Sequence, residues 1–173
     1  MFRDICMKDF KENVVELISR EMMLITAGNR EGLNTMTASW GFLGEMWGKD
    51  CAAVVVRPQR YTMEFLQKSE WFTLSFFGDN RQVHAVCGHK SGRDCDKIKE
   101  AGLTPVFDDR FTYFQEARLV LAVKKLYVQP MQPECFTDPM LEKWYPQKDF
   151  HNLIIGSIER MYVREKDPEE TGR

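Results

Sequence analysis

The first part of the chain carries a helical pattern of apolar positions. Asp9 is placed to cap this helix, and Glu12 lies three residues on, where it can reach back to the cap. The apolar residues recur at helical spacing, namely Phe10, Val14, Leu17, Ile18 and Met22. The pattern therefore predicts an N-terminal helix that packs one face on a sheet.

From residue 23 onward the pattern changes to short apolar runs of strand length. Residues 23–29 and 34–42 flank a polar, glycine-containing turn at 30–33, which is typical of a hairpin. Residues 51–56 predict a β-branched strand that stops at Arg57-Pro58, because proline cannot donate to a strand ladder. Three further runs are also predicted as strands: 71–77, 119–128 and 153–163.

Short helices are predicted between several of these strands. One covers residues 61–68, and a second covers 80–87 and ends at Gly88. Asp94 caps a third over 95–101 that ends at Gly102, and Asp138 caps a fourth over 138–144. Six or seven strands that mostly follow one another without a crossover helix predict a mainly β fold. It is an antiparallel sheet or barrel with short flanking α-helices.

Length and composition narrow the class of protein. The 173 residues indicate one domain over 1–165, followed by a charged tail over 166–173. A net charge of -2 and a pI near 6.0 provide no broad basic surface, which argues against nucleic-acid binding. The first ten residues lack a signal-peptide pattern, and no run approaches the ~20 apolar residues of a membrane helix. A cytoplasmic protein without membrane contact is expected.

The residues that most often carry chemistry form no familiar catalytic motif. Five scattered cysteines without a Cys-x-x-Cys pair favour reduced thiols. His84, Cys87, His89 and Cys95 are residue types that zinc binds, but a helix followed by a loop is not expected to converge them, so no metal is expected. Neither a Rossmann glycine fingerprint nor a P-loop is present. Nothing resembles a Ser-His-Asp triad, and no catalytic residue is assigned.

Three polar clusters interrupt the apolar runs, at residues 34–40, 57–62 and 91–97. The second ends a strand and opens a helix, where unpaired backbone N–H groups and the helix dipole favour an anion. Arg57 and Arg60 add positive charge there. The third places Gly92 at a helix start, where the backbone can approach a ligand closely.

Each cluster alone is also compatible with an ordinary surface of outward strand residues, solvated charges or a capped loop. All three occur beside aromatic residues, namely Trp40, Tyr61, Phe76 and Phe77. A flat cofactor needs apolar walls and a few orienting donors. Together, the clusters suit a flat phosphorylated ligand.

Four segments are distinctive in combination. They are Met36-Thr37-Ala38-Ser39-Trp40-Gly41, Arg57-Pro58-x-Arg60-Tyr61-Thr62, Cys87-Gly88-x-x-Ser91-Gly92-Arg93-Asp94-x-Asp96-Lys97, and Asp149-Phe150-His151 ahead of Ile155-Gly156. Over roughly residues 24–158 the chain resembles the flavin reductase-like FMN-binding family, especially its flavoredoxin-like branch. The second and third segments together are the most specific part of the resemblance.

The resemblance implies an FMN-binding split barrel, which is a Greek-key antiparallel β-barrel, with FMN near the interface of a homodimer. It also implies that electrons come from NAD(P)H or a redox-protein donor. The residues it assigns to FMN are Thr37, Ala38, Ser39 and Trp40 along the ring, Arg57, Arg60, Tyr61 and Thr62 at the ribityl phosphate, and Ser91, Gly92, Arg93, Asp96 and Lys97 closing over it. His151 is placed near the flavin as a donor or gate, or alternatively as a capping or interface histidine. Ser157 departs from the family, which more often has an acidic residue there.

Three functions follow from this interpretation. The first is an NAD(P)H-dependent flavin reductase, which needs no catalytic base because the flavin supplies the redox chemistry. The second is a non-enzymatic FMN electron carrier that serves another redox protein. The third is a binding or structural barrel that has lost its flavin.

Overall fold

The computed structural model describes residues 1–165, so the charged tail expected at 166–173 lies outside the described residues. The described part contains ten strands: β1 Phe2–Asp4, β2 Met23–Asn29, β3 Gly32–Ala38, β4 Gly41–Met46, β5 Lys49–Val56, β6 Trp71–Phe76, β7 Pro105–Phe107, β8 Thr112–Phe114, β9 Leu119–Pro130 and β10 Asn152–Arg164. Its α-helices are α1 Val14–Glu16, α2 Tyr61–Lys68, α3 Arg81–His89 and α4 Lys97–Glu100. A π-helical turn over Leu17–Glu21 continues α1, and 3-10 turns cover Met7–Asp9, Pro133–Cys135 and Pro139–Trp144.

The main sheet is antiparallel throughout and must curve into a barrel. Its strands follow the order β3-β2-β6-β9-β10-β5-β4, with β1 paired to β10. The strands at the two ends of this path, β3 and β4, are joined by Ser39 and Trp40 alone. Three Cα steps span at most about 11 Å, so the end of β3 lies close to the start of β4. We call Ser39–Trp40 the seam.

The barrel interior is filled by alternate residues of its strands. On β9, Leu119, Leu121 and Val123 are buried in the main core, whereas Val120 and Ala122 pack on the other face of the sheet. This is the alternation expected of a strand that is covered on both sides. The mainly antiparallel β fold with short helices, predicted from the sequence, is confirmed.

The N-terminal helix differs from the prediction. The N-cap is Asn13, whose side chain accepts hydrogen bonds from the backbone N–H groups of Val15 and Glu16, and Asp9 lies in a separate 3-10 turn. Glu12 does not reach back to Asp9 because its carboxylate is paired with Arg118 at the start of β9. An ion pair across the fold has replaced the local capping box.

The predicted strand over 34–42 is two strands. β3 ends at Ala38 and β4 begins at Gly41, and the sequence gives no turn signal at the seam because the polar alternation continues through it. Beyond β4, Trp47 and Gly48 both have positive φ, 56° and 69°, which is the backbone of a tight two-residue hairpin turn. Strands β1, β7 and β8 also went unpredicted, because three residues are too few to show a period.

The helices around residues 80–101 are shifted from their predicted ends. α3 continues through Gly88 to His89, and a Cβ on Gly88 would lie 3.3 Å from Thr37 Cβ, so this glycine serves close packing on β3. α4 is capped by Asp96, which accepts from Lys99 N at 3.1 Å, and Asp94 is not the cap. The predicted ends were wrong, whereas the helix over 61–68 is confirmed.

Within residues 1–165, no helix is long and apolar enough to cross a membrane. That part of the chain also contains no cluster of three or more His, Cys, Asp or Glu side chains able to hold a metal ion. His84 lies in the interior against Phe77, while His89 Nδ1 bonds to the carbonyl of Ala85.

Candidate functional site

A two-part cleft lies where β3, β5, α2 and the 91–97 loop meet. Its larger part has a volume of about 490 Å³ and its smaller part about 280 Å³. Met36, Arg57 and Arg60 line both parts, so the two are contiguous. We call them the large chamber and the small chamber. An elongated ligand could occupy both.

The predicted cofactor residues gather at this cleft. The small chamber is lined by Thr37, Ala38, Ser39, Trp40 and His151, the large chamber by Tyr61, Thr62, Ser91, Arg93 and Lys97, and both by Arg57 and Arg60. Gly92 and Asp96 border an adjoining cavity of about 390 Å³ that shares Asn34, Arg93 and Lys97 with the large chamber. The fold therefore brings residues from three distant segments together.

Local contacts hold the 91–97 loop against the barrel. Asn34 Nδ2 donates to Thr62 Oγ1 at 2.7 Å, which joins β3 to the first turn of α2. A Cβ on Gly92 would lie only 2.1 Å from Asn34 Oδ1 and 3.2 Å from the Tyr61 ring. Glycine at this position lets the loop backbone approach β3 and α2 closely.

The charges of the large chamber divide into paired and unpaired cations. Three of its cations have carboxylate partners, in the pairs Arg57–Asp149, Arg93–Glu64 and Lys90–Glu100. Among the side chains that the structure describes, no carboxylate lies within 4.0 Å of Arg60 or Lys97. The chamber thus has two positive charges that its own acidic residues do not neutralise.

Lys97 is the more unusual of these two cations. The residue is only 4% exposed, and its Nζ donates to the carbonyl oxygens of Cys87 and Lys90, both at 3.2 Å. Burial lowers its pKa, and the positive charge of Arg60 lowers that pKa further. Buried charges without a partner are costly, so this lysine indicates an anionic ligand.

Arg57 is held by residues that follow β9, at the end of the cleft away from Lys97. Its Nη1 contacts Asp149 Oδ2 at 2.5 Å, its Nη2 donates to Trp144 O at 2.7 Å, and the guanidinium lies over the Tyr145 ring at 5.1 Å. Gln59 Nε2 donates to the same Asp149 oxygen at 2.6 Å. These two hydrogen bonds, led by that from Gln59, lower the pKa of Asp149. Arg57 thus reaches the cleft already neutralised.

The small chamber is walled by aromatic rings. Trp40 and Trp144 meet edge to face, with ring centroids 5.4 Å apart, and the Trp40 ring lies 5.2 Å from that of His151. His151 Nδ1 is 2.9 Å from Tyr145 Oη. Burial, reinforced by the positive charge of Arg57, lowers the pKa of His151 to about 4. The imidazole is therefore neutral at pH 7.

The two residues of the seam also line the small chamber. The N–H groups of Ser39 and Trp40 are outside the strand ladders, because β3 ends at Ala38 and β4 begins at Gly41. The hydroxyl of Thr37 is committed to the carbonyl of His84 at 2.8 Å. Ser39 and Trp40, not Thr37, supply the uncommitted donors.

Several lining residues were absent from the predicted site. They are Asn34, Met36, Val55, Gln59, His89, Lys90, Trp144 and Asp149. Asn34 and Gln59 lie inside the polar clusters, and Asp149 lies inside a quoted segment, so each had a sequence signal. Trp144 had none, because the helical pattern over 138–144 says nothing about the surface on which it packs.

The antiparallel barrel thus carries a cationic chamber beside an aromatic one. The chain belongs to the flavin reductase like domain family, whose model matches residues 15–172. No curated protein matches the chain.

Solved structures agree with this family. Flavoredoxin from Methanosarcina acetivorans is similar with a TM-score of 0.65 and 18% identity, over 84% of this chain and 69% of that one. The FMN-binding domain of a flavin reductases-like enzyme from Shewanella baltica has a TM-score of 0.66 and 17% identity, over 94% and 77%. Nitrilotriacetate monooxygenase component B from Bacillus cereus has a TM-score of 0.67 and 16% identity, over 93% and 81%. The fold is the split barrel of flavin reductases.

Proposed function

We propose that this protein is an FMN-binding flavin oxidoreductase that passes hydride or electrons from NAD(P)H through FMN to a flavin or protein acceptor. One observation carries the proposal. Arg60 and Lys97, two cations without a described carboxylate partner, line a chamber that is contiguous with an aromatic one. A phosphate dianion matches two positive charges, and a flat ring suits the aromatic walls.

The large chamber would hold the ribityl phosphate. Arg60 and Lys97 would neutralise it, and Ser91 and Thr62 add hydroxyl groups at the same cavity wall. Asp149 lies at the Arg57 end of the chamber, where a carboxylate repels a phosphate. The phosphate therefore belongs at the Arg60–Lys97 end.

The small chamber would hold the flavin ring, which supplies the redox chemistry when it is bound. The N–H groups of Ser39 and Trp40 are placed to donate to the ring edge, where negative charge grows on reduction. His151 shares a hydrogen bond between its Nδ1 and the Tyr145 hydroxyl, and the neutral imidazole lines the chamber beside the ring. Trp40 would form one wall of the ring site.

The alternative is a non-enzymatic electron carrier. Its support is the fold similarity to flavoredoxins from Methanosarcina acetivorans and Desulfovibrio vulgaris, at 18% and 22% identity. A carrier and a reductase would use the same cleft, and they differ in whether a nicotinamide reaches the flavin.

A visible spectrum of the purified protein, with mass identification of any released chromophore, tests the proposal. A reductase is expected to bind FMN, to gain thermal stability when FMN is added, and to oxidise NADH or NADPH rapidly with free flavin present. A bound flavin with negligible nicotinamide oxidation would favour the carrier. No chromophore and no rise in Tm with FMN would refute both functions and favour the barrel without flavin.

We further propose a homodimer formed through the outer face of β4, β5, β10 and β9. Phe42, Ala53, Ile155 and Tyr127 are register partners in one row across these strands, so they share a face. Phe42 is 52% exposed, and Trp47 beside Tyr127 is 60% exposed. Ala53 and Ile155 are themselves buried, so the exposed apolar side chains here are those of Phe42, Trp47 and Tyr127. Large exposed apolar side chains of this kind mark an interaction site.

This face continues into the cofactor cleft. Val55 lines the small chamber and lies two residues beyond Ala53 on the same face of β5. A second copy seated on the row would therefore lie next to the flavin ring. The chemistry of the patch, which is apolar and aromatic, suits a self-complementary contact around a twofold axis.

The variant Trp47→Glu is expected to convert the dimer to a monomer, because it buries a charge in an apolar interface. Light scattering after size exclusion at micromolar concentration measures the mass. Val15→Glu is the matched control, since Val15 is also an exposed apolar residue but lies on α1. A monomeric wild-type protein, or a dimer unaffected by Trp47→Glu, would contradict this interface.

A further inference from the structure

The chain between β9 and β10, residues 131–151, forms a compact unit over the small chamber. Its two ends are joined by a hydrogen bond from Met131 N to His151 O at 2.8 Å. Inside it, the Tyr145 ring packs against Phe150 at 4.7 Å and Phe136 at 5.7 Å. A loop with close ends and its own packed side chains moves as one body. We call residues 131–151 the cover.

Arg57 contacts the cover at more points than any other side chain near the end of β5, and Gln59 adds one hydrogen bond to Asp149. Arg57, just after β5, contacts the Trp144 carbonyl, the Asp149 carboxylate and carbonyl, and the Tyr145 ring. Its guanidinium group therefore contacts three residues of the cover, Trp144, Tyr145 and Asp149. A phosphate would have to displace Asp149 to reach this guanidinium, whereas Arg60 and Lys97 are unpaired.

The contact with Arg57 fixes the position of Trp144. The Trp144 carbonyl accepts directly from Arg57, and the Trp144 ring forms the edge-to-face pair with Trp40 at the wall of the small chamber. Aromatic pairs hold a preferred geometry, so a fixed Trp144 backbone fixes the Trp40–Trp144 pair at the wall of the small chamber. Val55 and His151 line the same chamber.

We propose that Arg57 is a positioning residue that holds the cover in place, and that Trp144 thereby positions small, planar, heteroaromatic electron donors at the flavin. The proposal rests on the proposed FMN function. A cover held at this position keeps the Trp144 ring at the small chamber, where a flat donor ring would pack against it. The residue predicted from sequence to bind phosphate thus acts on the other half of the cleft.

The variants Arg57→Lys and Asp149→Asn test the proposal. Lysine keeps the charge but cannot span the carbonyl and the carboxylate together, and asparagine removes the ion pair from the cover side. Both variants are expected to keep the FMN dissociation constant within roughly threefold, about 0.7 kcal/mol by the affinity relation. Both are expected to raise KM for NADH or NADPH about tenfold, with a smaller change in kcat, because the donor ring is no longer held in place.

Hydrogen exchange of residues 131–149 provides a measurement that does not depend on flavin. Exchange there is expected to accelerate in both variants, while the barrel strands β2 and β6 keep their protection. Arg110→Lys is the control, because Arg110 also lies over an aromatic ring, that of Trp71, but far along the chain from the cleft.

Each contrary outcome has a distinct meaning. An FMN affinity lost in Arg57→Lys as severely as in Lys97→Met would make Arg57 a phosphate ligand and overturn the proposal. Unchanged exchange would show that Arg57 does not hold the cover, and faster exchange with unchanged KM would show that the cover does not position the donor. If the wild-type protein binds no FMN, the proposed function fails, and the exchange experiment still decides whether Arg57 holds the cover.

Discussion

Replacing Lys97 by methionine is expected to weaken FMN binding by about 100-fold, measured by fluorescence titration or calorimetry. The loss corresponds to roughly 2.7 kcal/mol, which is within the range for a charge-assisted hydrogen bond removed from a buried site. Lys97 is nearly inaccessible, and none of the described carboxylates is its partner, so a bound phosphate would neutralise its charge. Methionine keeps the length and the apolar stem of the side chain.

The same variant distinguishes a binding lysine from a structural one. Without FMN, the Lys97→Met protein is expected to keep its Tm within a few degrees, because losing an uncompensated buried charge offsets losing two hydrogen bonds. Lys99→Met is the matched control, since Lys99 is an exposed lysine on the same helix and its loss should leave FMN affinity unchanged. A collapse of Tm in Lys97→Met, or equal affinity losses in both variants, would remove Lys97 from the phosphate site.

Arg60→Ala is expected to weaken FMN binding by roughly tenfold, less than Lys97→Met, because Arg60 is more exposed and its charge is better screened. The two losses are not expected to add, since both cations would contact one phosphate group.

The residues grouped by the sequence patterns lie together at one cleft, whereas several predicted ends of the surrounding elements differ from those in the structure. The 57–62 segment lies where it was expected, at the end of β5 and the start of α2, because proline and helical spacing are strong local signals. The 91–97 loop was found through its glycine and charges. Such signals depend only on neighbouring residues, which is why they survive without knowledge of the fold.

Partners that are distant in sequence could not be predicted. Arg57 and Arg60 are equivalent in the sequence pattern, yet one is neutralised by Asp149, 92 residues away, and the other is not. Likewise, Glu12 looked like part of a capping box and is instead paired with Arg118. Both outcomes depend on which strands become neighbours. The difference between Arg57, which is paired with Asp149, and Arg60 therefore follows from topology.

The seam is a second feature that could not be predicted from the sequence. Ser39 and Trp40 continue the alternation of β3, so the local pattern predicts one strand through residue 42. The chain leaves the ladder there because β3 and β4 are the two ends of the sheet, and closing the barrel requires a crossing between them. That crossing releases the N–H groups proposed to face the flavin ring.

Stability is expected to fall as the pH drops below about 6.5, well before ordinary acid denaturation. Burial lowers the pKa of His151 to about 4 and also lowers the pKa of His84 from its usual value. The unfolded chain therefore binds protons on these histidines at a higher pH than the folded chain does, so acid favours unfolding. For His151 alone, the loss between pH 7 and pH 5 is about 2 kcal/mol.

A variant of His84 distinguishes protonation of the histidines from protonation of the carboxylates as the cause of this loss of stability. It is buried against Phe77, and neither ring nitrogen has a hydrogen-bond partner within residues 1–165. His84→Leu is therefore expected to leave stability at pH 7 equal or higher by about 1 kcal/mol, because a buried polar group without a partner is costly. Its stability should also fall less steeply than that of the wild-type protein between pH 7 and pH 5 in urea titrations. A destabilised His84→Leu protein with the wild-type slope would show that His84 has a hydrogen-bonded role and stays uncharged for a different reason.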